Sequence, residues 1–242
     1  MTRLPLEEIG HVEAIFRYPI KSMRGEKLES VMLGWHGLEG DRRLALQRLD
    51  DPGGFPWLTA SKLPELVVFS PERRDGELPT HVRTPDGSEM PVFGEELASD
   101  ITRRCGMRVQ IMHSRNGIFD DAHVSLIASD TVNEITRIAG VDPDVRRFRP
   151  NILVRLSNAG AFQEDAWIGG TVQFGEGDDA AAVAVTMHDV RCSMINIDPD
   201  TAHRSPEVLK AAVSANNNNA GVYATVTRTG TIAIGQKIFL RA

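Results

Sequence analysis

The sequence predicts a mainly β protein with a few helices. Short runs of apolar, β-branched and aromatic residues recur along the chain and are separated by turn residues, a pattern typical of a barrel or a sandwich. Three longer segments instead carry apolar residues at helical spacing. With 242 residues, 41% hydrophobic and 25% charged, the chain can bury a sizeable core. Its length permits one large β domain or two smaller packed units.

Nine segments have the composition of strands. Each is short, rich in Val, Ile, Leu or aromatic residues, and bounded by polar or turn residues. The segments 51–54, 85–87 and 175–178 contain Gly and Asp at turn positions. The predicted strands are Val12–Tyr18, Leu28–Met32, Leu44–Leu49, Leu66–Phe69, Val109–Met112, Ile152–Leu156, Val183–Met187, Val222–Thr227 and Lys237–Leu240.

Three segments are predicted to be helices. In the first, Leu97, Ile101 and Cys105 fall on one stripe, so Cys105 is interpreted as a small apolar residue of the core. In the second, Ile135 and Ile138 are expected to face inward. The predicted helices are Glu95–Cys105, Asp130–Ala139 and Ser205–Ser214.

The ends of these helices also carry signals. Gly106 is expected to cap the first helix at its C-terminus. Thr131 and Glu134 have the spacing of a capping box in the second. Ser205 is the predicted N-cap of the third, because a proline and a glutamate follow it. The asparagine run 216–219 is predicted to be a loop.

Charge argues against one class of partner. The formal net charge is -6, whereas general nucleic-acid binding depends on a broad basic surface. The basic residues nevertheless cluster, and two clusters brought together by folding would form a pocket for a small anion. The clusters are Arg17, Lys21, Arg24 and Lys27; Arg103, Arg104, Arg108 and Arg115; and Arg146, Arg147, Arg149 and Arg155.

Location is predicted from what the sequence lacks. No stretch approaches the roughly 18 apolar residues of a membrane-spanning helix. The segment 1–8 has two acids and no apolar core, so no signal or transit peptide is expected. A cytoplasmic protein with no membrane partner is therefore predicted. Cys105 and Cys192 are too few for a disulfide framework, and both are expected to be free thiols.

Cys192 is the candidate reactive residue. It follows a predicted core strand, and the positive charge of Arg191 beside it would favour the thiolate. On this evidence alone, a buried and inert thiol is equally compatible with the sequence. The histidines, His188 and His203 among them, lack ligand spacing such as His-x-x-x-His, so no conventional zinc site is expected.

Two further segments could complete a ligand pocket. Arg149-Pro150-Asn151 precedes an apolar strand, and it offers a guanidinium fork and an amide. Lys21 and Ser22 end another strand in a proline turn, where an ammonium and a hydroxyl could meet an anion. Taken separately, each segment is also typical of an ordinary loop.

In their order along the chain, these motifs resemble the MOSC family, the molybdenum cofactor sulfurase C-terminal domain, together with its N-terminal β-barrel companion. The resemblance covers nearly the whole chain. Within the family, it points to the mitochondrial amidoxime-reducing component and its bacterial counterparts. The motifs are Tyr18-Pro19-Ile20-Lys21-Ser22, Gly40-Asp41-Arg42, Phe148-Arg149-Pro150-Asn151, Arg191-Cys192 with Asp198-Pro199-Asp200-Thr201, and the stretch 230–235.

The resemblance implies an architecture and a site. A β-barrel MOSC core at 113–242 would pack against an N-terminal β-rich domain at 9–112, whose first strands could join the core. Cys192 matches the cysteine that ligates molybdenum beside the two dithiolene sulfurs of the pyranopterin, and a soft thiolate suits such a metal. The matching cofactor-binding positions are Lys21, Ser22, Arg42, Arg149 and Asn151, with His123, Ser125 and Arg191 also assigned to the cofactor site.

Some positions depart from the family pattern. Ile195-Asn196 replaces a Thr-Thr pair that relatives often have after Arg-Cys, so substrate contacts could differ. Ala202 replaces the glycine usually found after Asp-Pro-Asp-Thr. The segment Glu164–Trp167 falls where relatives carry an acid and a tryptophan near the pocket. A substrate-facing role and a packed turn remain equally compatible with it.

The implied activity is the reduction of N-hydroxylated or N-oxide compounds by a molybdenum cofactor. No iron–sulfur, flavin or haem motif is present, so a separate electron-donor protein is expected. One alternative is a sulfur carrier with a persulfide on Cys192, although no segment resembles the pyridoxal-phosphate domain of the sulfurases. Another is a non-catalytic β domain that has lost its cofactor.

Overall fold

The computed structural model of the protein describes residues 6–50, 53–74 and 76–241. The first part of the predicted turn at 51–54, and most of the segment 1–8, lie outside these ranges. The strands are β1 Glu7–Arg17, β2 Glu26–Leu28, β3 Ser30–Gly34, β4 Gly37–Leu38, β5 Leu44–Arg48, β6 Ser70–Glu72, β7 His81–Arg83, β8 Glu89–Pro91, β9 Val109–His113, β10 Val124–Ala128, β11 Ile152–Leu156, β12 Thr171–Phe174, β13 Ala182–Val190, β14 Asn219–Arg228, β15 Gly230–Ala233 and β16 Lys237–Arg241. The α-helices are α1 Glu95–Cys105, α2 Ser129–Ala139 and α3 Glu207–Asn216; 3-10 helices are Pro64–Val68, Val145–Arg147, Gln163–Trp167 and Ser193–Asn196.

Seven strands form a closed barrel. Their order around it is β1, β11, β10, β14, β13, β12 and β16, and β1 closes the ring because it pairs with both β11 and β16. β10 and β11 are parallel, while the other neighbours are antiparallel. The predicted class, mainly β with a few helices and a barrel core, is confirmed.

Alternating side chains fill the barrel. Val183 and Val185, two residues apart on β13, are buried in the same core as Trp167. β1 runs so close to β11 that a Cβ at Gly10 would lie 2.1 Å from the carbonyl oxygen of Arg155. A side chain at this position would therefore push the two strands apart.

A second apolar core lies beside the barrel. The pair β5 and β9, the sheet of β6, β7 and β8, and helix α1 surround it, and Leu97 and Ile101 of α1 are buried there as predicted. A third apolar cluster, which includes Ile127 of β10 and Ile135 of α2, joins the barrel wall to α2 and α3. Among the described residues, no helix is long and apolar enough to cross a membrane.

Several predicted strands need correction. Leu66–Phe69 falls largely within the 3-10 helix Pro64–Val68, whose first position suits a proline. Leu28–Met32 is split at Glu29, because β2 pairs with β1 whereas β3 pairs with β15. β10 was not predicted, since all five of its residues are buried and its sequence therefore lacks the alternation of a half-buried strand.

The helices keep their predicted positions, but some of their details were wrong. The Thr131 hydroxyl does not cap α2; it accepts from Phe162 N at 2.7 Å and donates to Glu164 at 2.9 Å. Ile135 is buried, whereas Ile138 is 42% exposed. α3 begins at Glu207 without a side-chain cap, so Ser205 is not its N-cap.

Candidate functional site

A cavity of about 470 Å³ lies between the barrel wall and the loops of the N-terminal part. Loops before β5, β10 and β11, and the segment that follows β13, supply most of its wall. Both halves of the chain therefore contribute to it. Six of the predicted site residues line this cavity: Lys21, Ser22, Arg42, Arg149, Arg191 and Cys192.

Cys192 follows β13 and immediately precedes the 3-10 helix Ser193–Asn196. Its side chain is exposed, whereas Cys105 is half-buried and donates to the Met107 carbonyl oxygen at 3.5 Å. Cys192 is thus accessible from the cavity, and Cys105 packs against the second core as predicted.

Lys21 is a buried cation in the cavity wall. Its ammonium donates to Asp120 Oδ1 at 2.8 Å and to the carbonyl oxygen of Ile118 at 3.2 Å. Burial lowers the pKa of Lys21, and the Asp120 carboxylate opposes that shift. The lysine is therefore held at a defined position beside Ser22, which is also buried.

Asn151 does not line this cavity; it lies behind the cavity wall. Its amide nitrogen donates to Asp41 Oδ2 at 3.0 Å and to the Phe16 carbonyl oxygen at 3.3 Å. Its amide oxygen accepts from Ser125 N at 3.1 Å. The amide thus joins β1, β10 and β11 through buried hydrogen bonds.

Asp41 holds Arg42 in place. The Arg42 guanidinium donates to the Asp41 carboxylate and, at 3.1 Å, to the carbonyl oxygen of Arg149. Burial works against the charge of Arg42, but the charge and hydrogen bond of Asp41, together with smaller contributions from Tyr18 and Tyr223, raise the pKa of the guanidinium. Asp41 also accepts from Tyr18 N at 2.7 Å.

A smaller cavity of about 190 Å³ adjoins the first, and the two share Arg147, Arg149 and Met194 as lining residues. Tyr18 also lines it, with the Arg149 guanidinium 4.1 Å from the centre of its ring. Burial lowers the pKa of Arg149 to about 10 and raises that of Tyr18 to about 12, so at neutral pH Arg149 is charged and Tyr18 is not.

Three buried polar atoms beside this smaller cavity lack a hydrogen-bond partner within the described part of the chain. They are the Tyr18 hydroxyl, Arg147 Nε and Arg149 Nη2. Buried polar groups are nearly always paired, because an unpaired one costs about 1–3 kcal/mol. All three atoms can donate, so an acceptor-rich ligand would complete them.

Within the described part of the chain, the Arg191 guanidinium forms no hydrogen bond with Cys192. Instead it donates to the carbonyl oxygens of Ala220 and Phe148, each at 2.7 Å, and lies 2.9 Å from Asp189. Arg191 thereby fixes the course of the segment that presents Cys192 to the cavity.

Asp189 and Tyr223 also line the cavity, and sequence reasoning missed both. Ser125 on β10 is paired with Tyr223 on β14, and its hydroxyl donates to Asp189 Oδ2 at 2.8 Å. Burial raises the pKa of Asp189 to about 6, against the opposing charge of Arg191. The pairing of β10, β13 and β14 creates this group, and no sequence motif marks it.

His123 lies apart from both described cavities. Its ring makes edge contacts with Phe119 at 5.2 Å and with His36 at 5.9 Å between centroids. Burial lowers the pKa of His123, and His36 and Arg43 add to that effect. Its cofactor-binding role remains a prediction.

Three cavity residues adopt the left-handed backbone conformation that favours glycine. They are Ser22, Arg42 and Arg149, with φ values of 69°, 48° and 51°. Such conformations cost about 1–3 kcal/mol each and often occur at functional sites. Two of them are held by hydrogen bonds: Arg42 N donates to the Tyr18 carbonyl oxygen at 2.8 Å, and the Arg149 guanidinium donates to that of Met23 at 2.8 Å.

The segment Glu164–Trp167 forms a packed turn. Glu164 is fully buried and accepts from Ala128 N and the Thr131 hydroxyl, while Trp167 lies in the barrel core. Of the family departures, Ala202 has a left-handed φ of 60°, the conformation for which glycine is suited. Asn196 accepts from Leu209 N at 2.8 Å and so ties the Cys192 segment to α3.

Across the described ranges 6–50, 53–74 and 76–241, no group of three or more His, Cys, Asp or Glu side chains could hold a metal ion.

The fold and the cavity together define a β-barrel protein with a cation-rich cleft and a cysteine at its surface. The model of the MOSC domain matches residues 110–239, more than half of the chain, and that of the MOSC N-terminal beta barrel domain matches residues 9–124. The chain therefore belongs to the MOSC family. No curated protein matches it significantly.

One solved structure shows the same fold, and a second is similar at a lower TM-score. The YuaD protein from Bacillus subtilis is similar over 98% of both chains at 14% identity, with a TM-score of 0.52. YiiM from Escherichia coli is similar over 96% of this chain and 70% of its own at 11% identity, with a TM-score of 0.45. At 14% identity, the similarity to YuaD concerns the fold alone.

Proposed function

We propose that the protein binds a molybdenum–pyranopterin cofactor in its two joined cavities and reduces N-hydroxylated or N-oxide compounds. One observation carries the proposal: three buried donors without partners in the described part of the chain lie beside the smaller cavity. The larger cavity, which shares Arg147 and Arg149 with it, exposes Cys192. A purely structural cavity would leave the cost of those donors uncompensated.

The chemistry of the residues fits this cofactor. A pterin ring offers nitrogen and oxygen acceptors, which would satisfy the Tyr18 hydroxyl and the free N–H groups of Arg147 and Arg149. A phosphate group would suit Lys21 and Arg42, two cations that line the larger cavity. In this proposal, Asn151 and Ser125 act one layer further out by holding Arg42, Asp41 and Asp189.

Cys192 would provide the protein's own ligand to the metal, since it is exposed and lines the same cavity. When bound, the cofactor supplies a centre for two-electron chemistry. In the proposed reaction, the N–O bond of an N-hydroxy substrate breaks, two electrons and two protons are taken up, and water leaves. The electrons come from a separate reductase, and the proposed location is the cytoplasm.

The direct test is metal and pterin analysis of the protein expressed in a host that makes the cofactor and is supplied with molybdate. We expect molybdenum and pterin in the purified protein. Cys192→Ser should abolish reduction of an amidoxime substrate while the fold persists, and Cys105→Ser, the matched control, should not. Protein without molybdenum or pterin would contradict the proposal, as would full activity in Cys192→Ser.

Arg149→Ala tests cofactor retention separately. A charged hydrogen bond contributes about 1.5–3 kcal/mol, so the variant should hold the cofactor roughly ten- to hundredfold less tightly. The measurement is molybdenum content after dialysis, and unchanged content would exclude this role. Cyanolysable sulfur on Cys192 without molybdenum would instead favour the sulfur-carrier alternative.

A further inference from the structure

The wall of the larger cavity contains two kinds of polar surface. Most charged groups in it are cations, including Lys21, Arg42 and Arg149. Three aspartates also line it, and Asp189 differs from the exposed Asp120 and Asp121 because it is only 2% exposed. A cavity of this kind can bind an anionic group on one part of its wall and a hydrogen-bond donor on another.

Among residues 6–50, 53–74 and 76–241, contacts are made to one oxygen of Asp189. Oδ2 accepts from the Ser125 hydroxyl at 2.8 Å and lies 2.9 Å from Arg191 Nη2. In the described part of the chain, no group donates a hydrogen bond to Oδ1. A carboxylate oxygen that has no donor within the protein and belongs to a cavity-lining residue is available to accept from a ligand N–H or O–H.

Tyr223 provides a second unused group beside it. The residue is largely buried, it lines the cavity, and nearby Asp189 adds to the burial that raises the pKa of its phenol. None of the described residues forms a hydrogen bond with its hydroxyl, although its backbone oxygen accepts from Thr186. At neutral pH this hydroxyl can therefore donate to a ligand acceptor.

Asp189 lies close to Cys192 along the chain. Residues 189–192 all line the cavity, and three residues of extended chain span about 10 Å at most. A small molecule that reaches Cys192 can therefore also reach the Asp189 carboxylate.

We propose that Asp189 and Tyr223 form the substrate-recognition site and select N-hydroxylated compounds that carry an N–H donor next to the N–O bond. Asp189 Oδ1 accepts from that N–H, and the Tyr223 hydroxyl donates to the oxime nitrogen or oxygen. Compounds without the donor leave the carboxylate oxygen unpaired and bind more weakly. This inference rests on the proposed function for its substrate class, but the recognition site belongs to the polypeptide alone.

Two probe molecules isolate the proposed contact. Benzamidoxime and benzaldoxime share a phenyl ring and an oxime, and only benzamidoxime carries an amino group beside the oxime. Binding of each to the purified protein is measured by isothermal titration calorimetry without an electron donor, so no turnover occurs. The wild-type protein should bind benzamidoxime roughly ten- to hundredfold more tightly, as expected for a hydrogen bond to a charged group.

Asp189→Asn should lower this ratio about three- to tenfold, because a neutral amide oxygen accepts the N–H more weakly than a carboxylate, while leaving benzaldoxime affinity nearly unchanged. Asp142→Asn, in an exposed loop, removes the same charge outside the cavity and should keep the wild-type ratio. If Asp189→Asn does not fold, Tyr223→Phe provides the test. Loss of its hydroxyl should weaken the binding of both probes about three- to tenfold. A wild-type ratio in Asp189→Asn would overturn the proposal, as would unchanged affinity of Tyr223→Phe for both probes.

The molybdenum and pterin content of the same samples separates the two proposals. Absence of the cofactor would contradict the proposed function, yet the binding ratio would still test Asp189. If the wild-type protein contains the cofactor but binds benzamidoxime and benzaldoxime equally tightly, only the recognition site is contradicted.

Discussion

Arg149 and Asn151 stand two residues apart on one loop, yet their buried polar atoms are in opposite situations. Both ends of the Asn151 amide are hydrogen-bonded, to Asp41 and Phe16 on one side and to Ser125 on the other. Arg149 donates to the Met23 carbonyl oxygen but leaves Nη2 without a partner among the described residues. The fold itself completes the hydrogen bonds of Asn151, whereas in the proposed function a ligand would complete those of Arg149.

This difference indicates that two residues of one family motif can have different roles, one structural and one proposed for ligand binding. Asn151 and Arg149 belong to the same Arg-Pro-Asn sequence, and both carry groups that could bind a cofactor. Their hydrogen-bond partners distinguish a residue that the fold satisfies from one that we propose to bind the ligand. Substitution should therefore affect stability at one position and ligand retention at the other.

The largest expected effect is that of Asn151→Ala. Loss of the amide leaves the Asp41 carboxylate and the Ser125 N–H short of partners inside the protein, so the free energy of unfolding should fall by about 3–5 kcal/mol. Urea unfolding of the cofactor-free protein measures it. Arg149→Ala is the control and should change that free energy by less than about 1 kcal/mol. An equal fall in the free energy of unfolding of the two variants would contradict the proposed difference between Asn151 and Arg149.

Tyr18→Phe should act in the opposite direction. Its buried hydroxyl has no partner among the described residues, so removing it should stabilise the cofactor-free protein by about 1–2 kcal/mol. The same change should reduce molybdenum content after dialysis, because a donor to the ligand is lost. Thermal unfolding and metal analysis of one preparation measure both effects. A less stable cofactor-free variant would show that the hydroxyl is already satisfied.

The smallest effect is expected for Ala202→Gly. Ala202 and Arg149 share the left-handed conformation, but Ala202 does not line either described cavity. Glycine at 202 should raise the free energy of unfolding by about 0.5–1 kcal/mol and leave molybdenum content unchanged. Urea unfolding again provides the measurement. A stability at or below that of the wild type would mean that the turn tolerates alanine without strain.

Most of the barrel could be predicted from the sequence because its strands carry a local signal. Ile152–Leu156 has the predicted bounds, and Glu95–Cys105 matches as a helix. Val124–Ala128 was not predicted, because a strand that is buried on both sides lacks the alternation of apolar and polar residues. Leu66 was assigned to a strand from its apolar neighbours, whereas tertiary packing places it in a 3-10 turn.

The candidate site divides in the same way. Lys21, Arg42 and Cys192 belong to ordered motifs, so the sequence indicated them, and they do line one cavity. Asp189 and Tyr223 were missed because they meet only through the pairing of β10, β13 and β14. Strand register depends on long-range packing, which short motifs do not encode.

The position of β1 in the barrel has a consequence for how the chain folds. β1 pairs with β16, and the contact between Glu7 and Leu240 spans nearly the whole sequence. During synthesis, β1 therefore cannot pair with β16 until β16 has been made. Until then, the unpaired edge of β1 could associate with other chains. Because contacts of such long range slow folding, the barrel should close late, and chaperones should improve the yield of native protein.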